Sequence, residues 1–450
     1  MSKKKKNKQL SKKELIFNIV SLVIVICIGI YFGVRSFYYY GKQSTKIKEE
    51  AMTLNGVVLS SNEVLKDGDG LHQDTAGYYF KGNVLNNYVM FANRLFRVMQ
   101  VNNNGTVQLI SNDIVSEFMW GEDSSYKNSN LYQWLNVVEG ESSGVYYNTI
   151  PNPEKFLVKT EYSEDRLLDS EVEDSKVKYK DYVTTLSIKD FSKANGKNSY
   201  LNIGKYFWIL GLDKEKNNLY VDSEGVLDSA IGYDGYGIRA VITLKKNLKI
   251  TGGDGTGNNP YVIDQGNDIN YVDQYVKLGE HNYRIIEDNN GVLKMALNGY
   301  IIGNGGEYLS SYSMSTSLFD ITSRKNIGYY LNNTFYYSLS YADILSDCNF
   351  YTGEVSNETG FKYTNIYSDV VTAKVGLMNL FDYNSNTQLD NYYFMNTTSS
   401  VGSMGYVYHN TGLLEDDKIT EKRHVVPVVC INKNLVKAGT GSIENPFVVG

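Results

Sequence analysis

The spacing of apolar residues changes character along this chain. Residues 15–34, LIFNIVSLVIVICIGIYFGV, are twenty in a row without a charge. At about 1.5 Å rise per residue, such a helix would cross a hydrocarbon layer of about 30 Å. Farther on, RLFRVMQV and TVQLIS are β-prone runs separated by NNNG, a hairpin signal. SNLYQWLNVV then sets Leu131, Trp134, Leu135 and Val138 on one helical face behind a Ser/Asn cap. SRKNIGYYLNNTFYYSL does the same with Ile327, Tyr330, Leu331 and Phe335. KYFWILGL and IRAVITL read as buried strands, with NNLYVDSEG as the returning arm of a hairpin. The pattern predicts an α+β class, a mainly antiparallel sheet with one or two short helices.

The pattern also occurs twice. Residues 205–248 match 392–435 without a gap at a constant offset of 187, with Tyr206-Phe207 against Tyr393-Phe394 and KNL against KNL. Upstream, Arg97 meets Arg284 and Asp190 meets Asp382. Both copies close on a glycine-rich phrase, GGDGTGNNPYVI and GTGSIENPFVV. Glycine permits left-handed backbone and Asn-Pro favours turn initiation, so the phrase predicts a tight turn into a short terminal strand. It is not a phosphate loop, because no Lys-Ser/Thr pair follows and no helix opens there. Two divergent copies of one domain explain these matches.

Charge adds a direction. Seven Lys and Arg35 oppose Glu14 within the first 40 residues, whereas the whole chain carries −6, so the remainder is acidic. A nucleic-acid partner is therefore not expected. The Lys cluster precedes the apolar run, which predicts a cytoplasmic N-terminus. A cleaved signal peptide would show a small-residue cleavage site, and a lipoprotein anchor at Cys27 would want a small residue where Ile26 stands. The expected organisation is a Lys-rich tail at 1–14, a transmembrane signal anchor at 15–35 in the cytoplasmic membrane, and a spacer at 36–66. A first ectodomain repeat at 67–264, a linker at 265–274 and a second repeat at 275–450 complete it, with the bulk of the chain extracytoplasmic.

GDGLHQDTAGYYFKGNVLNNYVMFANRLFRVMQVNNNGTVQLIS, the W/Y-L-N helix, VGLMNLFDY, YFWILG and the GTGxxxNPY/F ending resemble an uncharacterised family of extracytoplasmic repeat-domain proteins of low-GC Gram-positive bacteria. The likeness covers about residues 67–450. More remotely, the element order is similar to the C-type-lectin-like fold shared with formylglycine-generating enzymes. The resemblance implies an exported location and tandem C-type-lectin-like domains, and it implies no activity. The copies depart from one another where Arg239 faces Val426 and Trp208 faces Met395, so a site at those positions would survive only in the first.

Candidate chemistry is sparse. Cys348 and Cys430 are the only cysteines beyond the apolar run, and could form a disulfide, stay free and buried, or bind metal. Asp213, Glu215, Asn217 and Glu224 match positions 1, 3, 5 and 12 of a calcium loop, but strand-like flanks favour a polar hairpin turn. Asp190 and Asp382 suit helix or turn caps better than a catalytic pair, and Arg97 and Arg284 suit paired structural arginines. No motif calls for a cofactor. Recognition chemistry, rich in Tyr, Asn and Asp, gathers before the last long strand of each copy. The candidates are Trp208, Tyr233, Asp234, Tyr236 and Arg239 in the first, and Tyr406, Tyr408, His409 and Asn410 in the second. The leading expectation is a membrane-anchored surface binding or adhesion protein recognising a cell-wall glycan or surface protein. An envelope-acting enzyme and a structural subunit of an envelope assembly are the alternatives.

Overall fold

A computed structural model describes residues 28–32, 35, 52–139, 143–169, 171–266, 268–303, 305–315, 318–351, 354–355, 370–379, 382, 393–399, 404–408 and 414–450. Two corrections come first. Strand accounts for 39% of the structure and helix for 17%, so the chain is mostly β rather than α+β. The expected transmembrane helix is not shown either. Residues 15–27 lie outside the described residues, and among the described residues no helix is long and apolar enough to cross a membrane.

The helices are short for a local reason. Asn130–Leu135 starts on Ser129, whose hydroxyl accepts from the Tyr132 amide at 3.1 Å, and buries Leu131, Trp134 and Leu135. Asn136 is already extended, and the β-branched Val137 and Val138 do not continue the helix. Segments this short cannot nucleate alone and are held by packing against the sheets.

Each repeat contains two sheets of the same topology. In the first repeat, one sheet runs Val183–Thr185, Ala240–Leu244, Val107–Ser111, Arg94–Asn102, Tyr88–Phe91, Tyr261–Ile263, Ile250–Gly252. Its counterpart runs Leu345–Ser346, Val428–Asn432, Val292–Leu297, His281–Asn289, Tyr275–Leu278, Phe447–Val449, Val436–Ala438, with Val375–Gly376 also on Val428–Asn432. The second sheet runs Leu227–Ala230, Asn218–Val221, Phe207–Leu212, Gly235–Ile238, Ser116–Met119, and the later copy repeats the order from Leu414–Lys418 to Leu309–Ser310.

The closing phrase ties each repeat's end to its beginning. Tyr261 pairs in parallel with Val89, as Phe447 does with Val276. The amides of Tyr88 and Tyr275 donate to the carbonyls of Gly255 and Gly441, both at 2.8 Å. Gly253 and Gly439 adopt φ of +98° and +99°, and a Cβ there would come within 1.9 and 2.3 Å of the Pro260 and Pro446 carbonyl oxygens. Only glycine fits such a turn.

Two expected connectors are structured. Helix Leu54–Ser60, inside the expected spacer, buries Leu54 and Val58, and the Leu54 amide donates to the Leu248 carbonyl at 2.8 Å. The expected linker is docked on the first repeat, where Gln265 Oε1 accepts from the Ala92 amide at 2.8 Å and Asp268 pairs with Lys155.

Candidate ligand-binding surface

The second sheet of the first repeat carries an aromatic layer. Trp208 and Tyr206 alternate onto one face, Tyr220 lies directly across from Trp208, and Tyr236 comes from the parallel neighbour. Gly237 makes that neighbour possible, because a Cβ there would sit 2.8 Å from the Tyr206 carbonyl oxygen and 2.4 Å from Ile114 Cδ1. Trp208 is fully buried, edge-on to Trp120 at 5.7 Å between ring centroids, and 4.7 Å from Tyr236. Above it, Tyr206 stacks on Tyr236 at 5.6 Å and on Tyr220 at 6.1 Å, while Tyr220 and Tyr236 lie 4.5 Å apart.

The three tyrosines are the accessible part of this stack: Tyr206 is 47% exposed, and Tyr220 and Tyr236 are half-buried. Carboxylates rim it. Tyr220 donates to Asp228 at 3.1 Å and Tyr236 to Asp234 at 3.2 Å, and both acids are exposed. Burial, then the neighbouring Asp234 and Tyr220, raises the Tyr236 phenol above its ordinary range; burial and Asp228 do the same for Tyr220. Both phenols therefore remain donors at neutral pH. The result is a partly exposed tyrosine cluster edged by anionic acceptors.

The predicted site residues divide accordingly. Tyr233 and Asp234 are exposed beside the stack and Tyr236 belongs to it, whereas Trp208 supports it from within. Arg239 is fully buried and donates to the Ser111 carbonyl at 2.8 and 3.1 Å and to the Leu201 carbonyl at 2.7 Å. Burial draws its guanidinium down to about 9. It ties loops together and reaches no ligand surface. Tyr406 and Tyr408 lie in strand Met404–Tyr408, and His409 and Asn410 lie outside the described residues. Tyr206 and Tyr220 were missed because alternation shows which residues share a face, not which face is left uncovered.

The calcium-loop spacing is not brought together. Asp213 Oδ1 accepts from the amides of Glu215 and Asn217 at 2.8 Å, and Oδ2 accepts from the Asn217 side chain at 2.9 Å and the Ser229 hydroxyl at 2.8 Å. Burial opposes ionisation, but these donors hold the carboxyl below its usual range. Glu224 sits in the next turn, beyond strand Asn218–Val221. Among the described residues no cluster of His, Cys, Asp or Glu is arranged to hold a metal ion.

The remaining candidates occupy structural places. Cys348 and Cys430 form a disulfide with a Cα separation of 5.9 Å. Arg97 lies over the Tyr88 ring at 3.8 Å and Arg284 over the Tyr275 ring at 5.8 Å, equivalent cation–π pairs. Asp190 sits at the start of a short helix capped by Ser187, with its amide donating to Ser187 Oγ at 3.0 Å and its Oδ2 accepting from the same hydroxyl at 2.7 Å. Asp382 forms a reciprocal pair with Asn379, its amide donating to Asn379 Oδ1 at 2.8 Å and its Oδ2 accepting from the Asn379 amide at 2.9 Å. No protein-family profile, curated protein or solved structure matches this chain.

Proposed function

We propose that this chain is a binding protein of the cell exterior whose first repeat recognises an envelope glycan on the Tyr206–Tyr220–Tyr236 layer. One observation carries the reading: three tyrosine rings, packed together with centroids 4.5 to 6.1 Å apart, are presented at the surface rather than covered by the fold. A pyranose ring has an apolar C–H face that packs on an aromatic face, and its hydroxyls donate well to carboxylates such as Asp228 and Asp234. Tyrosine supplies this contact at low conformational cost. The exterior location is supported by the Cys348–Cys430 disulfide, since such bonds persist in oxidising compartments.

The second repeat would not share the site. Met395 replaces Trp208 and Arg423 takes the place of Tyr236 in the aligned strands. The test is a glycan and cell-wall binding screen with the 450-residue chain, repeated with Tyr236→Ala and Tyr220→Ala. Retention by a polysaccharide that each substitution weakens is the expected result. Retention unchanged by either substitution, or no retention by any glycan, would overturn the reading.

A further inference from the structure

The two repeats differ most sharply at one internal place, between the long first sheet and the short helix after it. In the second repeat, Lys294 lies on strand Val292–Leu297 opposite Cys430, and its ammonium meets Asp382 Oδ1 at 2.9 Å. Cys430 is bonded to Cys348, which begins strand Cys348–Tyr351. Lys294 is only 5% exposed, so its side chain and the disulfide fill this interior together.

The first repeat keeps the acid and loses everything that answered it. Thr243 occupies the place of Cys430 and pairs with Gln108, which therefore stands where Lys294 stands. Thr160 pairs with Asp181 as Cys348 pairs with Ala373, so it replaces the second cysteine. Asp190 holds the place of Asp382, fixed by its own cap. A cleft of about 280 Å³ opens here, and Gln108, Thr160, Asp190, Gln100 and Tyr162 are among its walls.

Its polar groups are short of partners. Among its walls, the hydroxyl of Thr160 is buried and bonds to nothing among the described residues. Asp190 accepts from Ser187 and makes no salt bridge among the described residues. The nearby ammonium groups are committed elsewhere: Lys189 to Asp165 and Asp174 at 2.8 Å, Lys193 to Asp74 at 2.7 Å, and Lys178 to Ser163 at 3.1 Å. A buried polar group without a partner is costly, and a cleft that holds one together with a carboxylate lacking an ion pair is shaped for something that completes them.

We propose that this cleft binds an aliphatic primary amine, whose ammonium takes the place beside Asp190 that Lys294 takes beside Asp382. The alkyl chain would lie along the volume that the lysine stem and disulfide fill in the second repeat, and the Thr160 hydroxyl would accept from the ammonium. The amine could be a free diamine or the side chain of a lysine in a peptide, both of which present the same group.

Calorimetric titration of the 450-residue chain distinguishes these sources, with putrescine as one probe and Nα-acetyl-lysine methylamide as the other. The Nε-acetylated derivative of the second probe is the control. Binding of either amine, absent for the control, is the expected result. Gln108→Lys supplies an internal ammonium and should weaken binding about tenfold or more, as should Asp190→Asn. Gln108→Lys should also unfold no earlier than the parent chain, because it rebuilds a pair that the second repeat already tolerates. Tyr236→Ala should leave amine binding unchanged, which separates this site from the glycan surface. Equal binding of the amine and its Nε-acetyl form, undiminished binding to Gln108→Lys, or no binding of either amine would overturn the proposal.

Discussion

Arg94 Nε donates to Asp273 Oδ2 at 3.1 Å, joining the first repeat to the segment that leads into the second. The other oxygen of Asp273 accepts from Arg284 Nε at 3.1 Å and lies 2.9 Å from Nη2, so one carboxylate is shared by arginines from both repeats. Its side chain is only 11% exposed. Removing one partner of a buried ion pair typically costs about 3–5 kcal/mol, because the other charge stays behind. Asp273→Asn is therefore expected to lower the urea midpoint and to split unfolding into two transitions. A single transition at the parent midpoint would refute this coupling.

Trp208 and its counterpart Met395 set up a graded test of the aromatic support. Trp208→Ala should cost about 3–5 kcal/mol by opening a cavity under the tyrosines. Trp208→Met keeps an apolar filler that the second repeat already uses, and its loss should be smaller. Thermal unfolding ranks the two, and equal losses would show that volume is not the controlling quantity.

The surface tyrosines should behave differently. Tyr236→Phe removes the bond to Asp234 but keeps the ring, whereas Tyr236→Ala removes both. An aromatic contact is worth about 1 kcal/mol, so the alanine variant should bind the retained glycan about fivefold more weakly with little change in folding. A phenylalanine variant as weak as alanine would assign the contribution to the hydroxyl instead.

Reduction should act on one repeat only. The Cys348–Cys430 bond closes a loop with a sequence separation of 82, for which chain entropy gives about 4 kcal/mol. A reductant should lower the unfolding temperature of the second repeat and spare the first. The pair Thr160→Cys with Thr243→Cys should form a corresponding bond in the first repeat, read as the absence of free thiols after oxidation.

Acid should weaken the fold partly through Asp165. Burial alone would raise this carboxyl, but Lys189, the Ser175 amide and the Ser163 hydroxyl together hold it below its ordinary value. Its contribution is thus present above the unfolded value of about 3.9 and lost as pH falls through the lower folded value. Asp190 has the opposite sign, since burial raises it despite Ser187, and protonation on acidification relieves the cost of its buried charge. Between pH 5 and about 2, Asp165→Asn should flatten the acid limb of stability and Asp190→Asn should steepen it. Identical limbs for the two variants would contradict the assignment.

Much of this arrangement follows from local signals. The helix starting at Asn130 follows from Ser129 and the apolar spacing after it, and the turn before Tyr261 from Gly253 and its neighbours. These are decided within a few residues, so they are legible without the rest of the chain. The α+β expectation failed because the apolar face from Leu131 to Val138 implies a longer helix than the one formed. The helix ends at Leu135 because Asn136 is extended, its side chain bonded to the Val183 backbone, and the β-branched Val137 and Val138 do not continue it.

By itself, then, the sequence determined the duplication and the turn that ends each copy, because spacing and backbone preference are properties of neighbouring residues. Tertiary structure decided which conspicuous side chains are inside. Trp208 and Arg239 stand out in the sequence beside Tyr236, yet only Tyr236 reaches the surface, because Trp208 is packed among Trp120, Tyr220 and Tyr236 and Arg239 is bonded to the Ser111 and Leu201 carbonyls. It also decided the fate of Asp190 and Asp382, which are similar in sequence context and differ in consequence. Lys294 answers one and Gln108 faces the other, from strands that lie about 85 residues away in the chain and adjacent in the fold. Charge compensation in an interior depends on what packs within a few ångströms, and sequence distance does not record it.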